Sequence, residues 1–176
     1  MDDQAARMEQ LYRRIGLDIR AFLRRRIQDT DLADELLQET FLVAWRNPEA
    51  LDAAVSERAW LMGIARNLFR QHLRRKARNH TVSLPEDIVA TAERSEDSRI
   101  DAIRAAIARL PTAQREVLEL RLRHELRYEE IAAVLGIPIG TVRSRLHHAL
   151  RRLRSCATHR TCSQPADANG GKRSET

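Results

Sequence analysis

A glycine and a proline, Gly136 and Pro138, limit what this chain can fold into more than any other feature. Before them, Tyr128 to Leu135 carries apolar residues at Ile131, Ala132 and Leu135, a helical spacing. Gly136 then breaks the pattern and Pro138 opens a second amphipathic stretch. Two short helices packed at a steep angle, a helix-turn-helix, satisfy so tight a break. In the second helix Val142, Leu146, Ala149, Leu150 and Leu153 share one stripe and are expected to pack inward. The opposite face holds Thr141, Arg143, Ser144, His147, His148 and Arg151, and no acidic residue occurs from Ile131 to Ala166. Arginines on such a face can reach guanine edges in the major groove, and the helix N-terminus offers N–H groups to phosphates. A solvated structural helix can also be basic, but it has no need for the turn, the proline start and the acid-free face to coincide.

Elsewhere the apolar residues also recur at helical rather than alternating spacing, with only six glycines in 176 residues, so the expected fold is all-α. A hydrophobic content of 43% allows one sizeable core or two small ones, and the pattern favours two small helical domains. Met8, Leu11, Tyr12, Ile15, Ile19, Phe22 and Leu23 mark a long first helix. Capping residues at Asp29-Thr30-Asp31 start a second, with Leu32, Leu36, Leu37, Phe41 and Ala44 inward, and Asn47-Pro48 ends it. After a polar stretch through Asp52 and Ser56, a third helix is expected to bury Trp60, Leu61, Ile64, Ala65, Leu68 and Leu73. These three helices define a first domain over 4–78.

From 79 to 97 the period fades into Thr, Ser, Pro and acidic residues, the composition of a flexible linker. Ile100, Ile103, Ile107 and Leu110 then restore it, so a second domain is expected over 98–154, followed by a disordered polar tail over 155–176. The formal charge of +6 suits an anionic partner. There is no long apolar run, and the Met1-Asp2-Asp3-Gln4 start has no signal-peptide character, so a cytoplasmic location and no membrane insertion are expected.

Two surfaces of the first domain differ in sign. The second helix presents Asp34, Glu35, Gln38 and Glu39, with Phe41 and Trp45 beside them, acids and aromatics of a kind found at protein interfaces. A plain solvated face, with acids favouring the helix start, has the same composition. The third helix carries Arg66, Asn67, Arg70, His72, Arg74, Arg75, Lys76 and Arg78 without an acid, preceded by Arg58 and Trp60. Its cations suit phosphates and Asn67 suits a base edge; Trp60 is either core or a stacking platform for an unpaired base. In the tail Cys156, His159 and Cys162 are three potential ligands for a soft metal, but incidental thiols are the simpler reading and no metal or other cofactor is expected.

Taken in order, four pieces of this chain resemble the extracytoplasmic-function (ECF) group of bacterial RNA polymerase sigma factors. They are Leu36-Leu37-Gln38-Glu39-Thr40-Phe41-Leu42 with Ala44-Trp45; Trp60-Leu61-Met62-Gly63-Ile64-Ala65-Arg66-Asn67; Leu110-Pro111 with Arg115-Glu116-Val117-Leu118; and Tyr128-Glu129-Glu130-Ile131-Ala132 with Gly140-Thr141-Val142-Arg143-Ser144-Arg145-Leu146. The resemblance implies two helical domains, the second a winged-helix-like region four domain. It implies that Glu35, Gln38, Glu39, Phe41 and Trp45 bind the β′ clamp helices of core RNA polymerase. It assigns the minus-ten element, as duplex and as non-template single strand, to the loop from Pro48 to Glu57 and to Arg58, Arg66, Asn67, Arg70, His72, Arg74 and Arg75. The minus-thirty-five duplex falls to Thr141, Arg143, Ser144, His147, His148 and Arg151, near the β flap, and an anti-sigma factor is the implied regulator.

Three positions depart from the family pattern. Arg127 and Pro138 stand where hydroxyl residues commonly cap the two helices of the motif, so both helix starts need another source of stability. His148 stands where Arg is frequent and removes a phosphate contact at neutral pH. No phosphate-binding glycine loop, His-Glu-x-x-His pair or nucleophile elbow is present, so an enzyme is not expected. A stand-alone helix-turn-helix regulator, with a sensing or dimerising N-terminal domain and a palindromic site, is the alternative. A nuclease or recombinase would need paired carboxylates within the basic cleft, and the acids cluster away from it.

Overall fold

The structure, a computed structural model, describes residues 2–79 and 98–158. Among them the chain forms helices α1 (Asp2–Arg24), α2 (Thr30–Arg46), α3 (Pro48–Asp52), α4 (Glu57–Asn79), α5 (Ser98–Ala108), α6 (Thr112–Leu122), α7 (Tyr128–Leu135) and α8 (Ile139–Thr158), and no strand. The expected all-α class is therefore the observed one. The expected linker lies outside the described residues apart from Asn79, as do His159, Cys162 and the rest of the tail from 159 onward.

In the N-terminal half, α1 buries Leu11, Ile15, Ile19, Phe22 and Leu23 against α2 and α4. Asp29 caps α2 by accepting from the N–H groups of Asp31 and Leu32, at 3.0 and 3.2 Å. Pro48 ends α2 and also begins α3, because a first-turn position has no N–H bond for proline to lose. This short helix lies in a stretch read from the sequence as irregular, and Leu51 pins it to the core. Ser56 Oγ then accepts from the Ala59 N–H at 3.1 Å and starts α4.

The buried side of α4 is not the expected stripe. Ala59, Leu61, Met62, Ala65 and Phe69 are buried, whereas Trp60, Ile64, Leu68 and Leu73 are only half-buried. The reason is that α4 has neighbours on two sides, α1 and α2 on one and α7 on the other. A single-face reading cannot place both.

In the C-terminal half, the turn of the helix-turn-helix is built around Gly136, in the left-handed conformation at φ +65°. The Ile137 N–H closes it by donating to the Ala132 carbonyl at 3.1 Å. At the start of α7 the Glu130 carboxylate accepts from the Arg127 N–H at 2.7 Å, so the helix is capped from inside its first turn rather than by a hydroxyl at Arg127. At the start of α8 the Pro138 carbonyl accepts from Thr141 and Val142, at 2.9 and 3.2 Å. Val142, Leu146 and Ala149 are buried as expected, with Leu150 and Leu153 half-buried. The helix continues through Ser155 and Cys156 to Thr158, past the expected boundary at Arg154.

The two halves share one hydrophobic cluster instead of two separate cores. Across their junction, Arg26 donates to both oxygens of Glu119 at 2.8 and 3.3 Å and lies 3.7 Å above the Phe22 ring centroid. Arg66 donates to both oxygens of Glu116 at 2.6 and 3.1 Å. His124 sits edge-on to Phe22, with ring centroids 5.6 Å apart, and its buried Nε2 has no hydrogen-bond partner among the described residues.

Burial pushes the His124 pKa below its ordinary value; Arg26 and Arg58 push the same way, against Glu119 and Asp18. The folded protein therefore holds this imidazole neutral, while the unfolded chain takes up a proton near pH 6.5. The resulting stability is fully present above that pH and is lost as the pH falls through it. Thermal unfolding between pH 7.5 and 5.5 is expected to show a falling midpoint, with a shallower fall for His124→Phe.

Candidate functional site

Three surfaces carry the residues singled out in the sequence. On α2, Glu35, Gln38, Glu39 and Trp45 are all exposed along one side of the helix, and Leu42 lies between them, 53% exposed. The result is a strip with acidic and amide groups at one end and two large apolar side chains at the other. Leu42 belongs to it although the sequence reading passed it over. The signal was there: an apolar residue three positions after Glu39 on an otherwise polar face. Phe41 is buried and meets the Tyr12 ring edge-on, with centroids 5.0 Å apart, so it supports the strip from beneath and does not belong to its surface. Asp34 stands apart from the strip, gripped by both arms of the Arg20 guanidinium, which holds its carboxyl below the usual range.

The second surface is formed by α3, the loop after it, and α4. A cavity of about 440 Å³ opens between Ala53–Ser56, the α4 residues Trp60, Gly63, Arg66 and Asn67, and the end of α7 from Ala133 to Gly136. Trp60 is half-buried in its wall, between the two roles weighed from the sequence. Asn67, Arg70, Arg74 and Arg75 are exposed. Arg66 is committed to Glu116, and Arg58 pairs with Asp18 at 2.9 Å. His72 and Arg75 instead line a groove toward the start of α2, shared with Asp29, Asp31 and Glu35. The basic run therefore wraps around α4, and its cations do not all point one way.

The third surface is the outer side of α8. Arg143, Ser144, His147 and Arg151 are exposed, with Thr141 and His148 at the margins. From Thr141 to Arg151 the helix rises about 15 Å, which spans four to five base pairs when laid along a groove, at roughly 3.4 Å each. Tyr128 is packed at the base of this surface; the Arg143 and Arg121 guanidinium carbons lie 6.0 and 5.7 Å from its ring centroid, in reach of a weak cation–π attraction. The His147 and His148 rings meet edge-on, 5.7 Å apart.

Among the described residues no three His, Cys, Asp or Glu side chains are grouped to hold a metal, and the tail's Cys156-His159-Cys162 set lies largely outside them. No helix of the described residues is long and apolar enough to cross a membrane.

The sequence matches Sigma-70 region 2 over residues 11–79 and Sigma-70, region 4 over residues 100–153. It is 36% identical over 158 residues to the ECF RNA polymerase sigma factor SigL of Mycobacterium tuberculosis, covering 86% of this chain and 89% of that one. The chain belongs to the ECF sigma factors. The RNA polymerase sigma factor HrpL of Pseudomonas syringae pv. syringae is 39% identical over 145 residues, covering 77% of this chain and 79% of its own.

Two solved structures share the architecture. The sigma factor RpoE, in complex with the anti-sigma factor NepR from Bartonella quintana, has a TM-score of 0.64 at 26% identity, covering 85% of this chain and 95% of that one. CnrH, in complex with the cytosolic domain of CnrY, has a TM-score of 0.58 at 27% identity, covering 85% and 86%. As a sigma factor, the chain is a transcription initiation factor that binds core RNA polymerase and promoter DNA. Its region 2 comprises α1 to α4 and its region 4 comprises α5 to α8.

Arg143 is exposed in the second turn of α8, and it is the N-terminal residues of a recognition helix that reach base edges. Arg143→Ala is expected to cost about 1–3 kcal/mol at one base pair of the upstream element and little at the others. Affinity measured over single-base variants of the site checks this, and a loss equal at all positions would mark Arg143 as a phosphate contact.

Proposed function

We propose that this sigma factor divides its work among the three surfaces. The α2 strip of Glu35, Gln38, Glu39, Leu42 and Trp45 docks on the β′ clamp helices of core polymerase. The loop after α3 and the exposed side of α4, with Asn67, Arg70 and Arg74, recognise the minus-ten element and hold its opened non-template strand. The outer face of α8 reads the minus-thirty-five element, with region 4 close to the β flap.

The observation that carries this reading is the separation of sign. An acidic and apolar strip that repels DNA lies on α2, while both basic faces lie on other helices. The cavity beside Trp60 and Asn67 has the size and the mixed lining suited to a flipped base. Binding energy gained there offsets the few kcal/mol needed to unstack each base. The chain makes and breaks no bond in this scheme; polymerase supplies the chemistry. Work of this kind places the protein in the cytoplasm. The solved complex of RpoE with an anti-sigma factor supports control of this chain by a protein of the same type.

Replacing Gln38 and Glu39 together by Ala is expected to weaken core polymerase binding about tenfold, or about 1.4 kcal/mol, with unchanged helicity by circular dichroism. An unchanged affinity would remove α2 as the docking face.

A further inference from the structure

Three charged side chains on one face of α1 meet three on the stretch from Asp52 to Arg58, in order and with opposite sign. Arg7 pairs with Asp52 at 2.5 Å and reaches one oxygen of Glu57 at 3.5 Å. Arg14, two turns further along, donates to the other oxygen of Glu57. Arg58 then pairs with Asp18 at 2.9 Å, with the signs reversed. Positions 7, 14 and 18 are spaced by seven and four, so a helix presents them on one side. The reversal fixes the register, because a shift of one rung on this ladder brings Arg14 toward Arg58 or Asp18 toward Glu57.

Asp52 is the last residue of α3 and Glu57 the first of α4, so Arg7 joins the two ends of the loop between them. That loop, Ala53-Ala54-Val55-Ser56, has little of its own to hold it. Its one polar side chain, Ser56, is engaged in starting α4 and in a hydrogen bond to Glu130. The N–H groups of Ala53 and Ala54 turn back to the Glu49 and Leu51 carbonyls at 3.0 and 3.3 Å. Yet these four residues form one wall of the cavity beside Trp60 and Asn67, and Val55 is 59% exposed.

We propose that Arg7 and Arg14 are positioning residues for this loop: by holding the acids at its two ends from α1, they set the width of the cavity that takes a flipped base, and with it the base preference there. The proposal rests on the assignment of the loop to the minus-ten element. Two physical effects act together. A loop tied at both ends samples fewer conformations, so its wall offers one shape to a base. The side chains of Asp52 and Glu57, 61% and 34% exposed, also carry charges that repel phosphates unless a cation accompanies them. Neither arginine needs to touch DNA. Exposed ion pairs of this kind add little to global stability, so removing them alters the loop and leaves the helices folded.

Holoenzyme assembled from core polymerase and the full chain, transcribing promoter fragments randomised across both elements, tests the proposal. In the Arg7→Ala, Arg14→Ala protein the preference between the best and the worst base at the flipped position is expected to shrink by about fivefold or more. Preferences in the upstream element are expected to stay unchanged, and core polymerase to bind within about twofold of the parent. Arg7→Lys with Arg14→Lys keeps the cations and is expected to recover most of the preference. A loss of transcription equal for every base would overturn the proposal, marking the arginines as general phosphate contacts. An unchanged base profile would overturn it as well.

A double-mutant cycle separates action through the loop from the charge of the arginine itself. Asp52→Ala is expected to flatten the same profile, and Arg7→Ala added to it to do much less than Arg7→Ala does alone. Additive effects of the two substitutions would show that Arg7 does not act through Asp52 and would overturn the proposal. A wrong assignment of the loop reads differently: Val55→Ala, in the loop itself, and Asn67→Ala would then leave the minus-ten profile unchanged, and the proposal falls together with the reading it rests on.

Discussion

Helix α4 has to satisfy two sets of neighbours at once, and the arrangement of the rest of the molecule follows from that. Its buried side chains divide between α1 and α2 on one side and α7 on the other. That division joins two small helical groups into one hydrophobic cluster. It also places one side of the basic helix α4 against the first helix of the helix-turn-helix. Apolar burial holds the contact, and two carboxylate–guanidinium pairs set its register. Such desolvated pairs add less net stability than their Coulomb attraction suggests, but breaking one partner is expensive, so they favour a unique docked geometry over a sliding one.

Most of the fold was legible in the sequence because helical periodicity is local. The α2 cap at Asp29, the break at Gly136 and the inward stripe of Val142, Leu146 and Ala149 lie where spacing placed them. What the pattern missed depends on partners distant in sequence. Met62 and Phe69 are buried on α4 because α4 is flanked twice; Phe41 is inward as the spacing has it, and what the spacing does not give is that Tyr12 packs on it and takes it out of the α2 strip. Helix α3 was missed for a local reason: Pro48 was read only as the end of α2, although proline also suits a first turn.

The candidate site was legible as composition and less so as geometry. The sign of each surface could be read from runs of like charge, and α2, α4 and α8 keep those signs. Which cations remain available could not. Arg58 and Arg66 belong to one basic run by sequence, yet Asp18 and Glu116 occupy them, and both acids lie on other helices. Without a map of contacts, an arginine committed to a carboxylate is indistinguishable from one awaiting a phosphate. The departures at Arg127 and Pro138 find simple answers: the Glu130 carboxylate caps α7, and the Pro138 carbonyl starts α8.

The central claim is that this chain directs polymerase to promoters through two separated DNA surfaces. Mapping RNA start sites from a library of promoter fragments, transcribed by purified core polymerase with and without the protein, tests it most directly. The account predicts new, discrete start sites, each preceded by two shared sequence elements at constant spacing. Start sites that do not change when the protein is added, while the protein alone still retards a specific duplex, would contradict it.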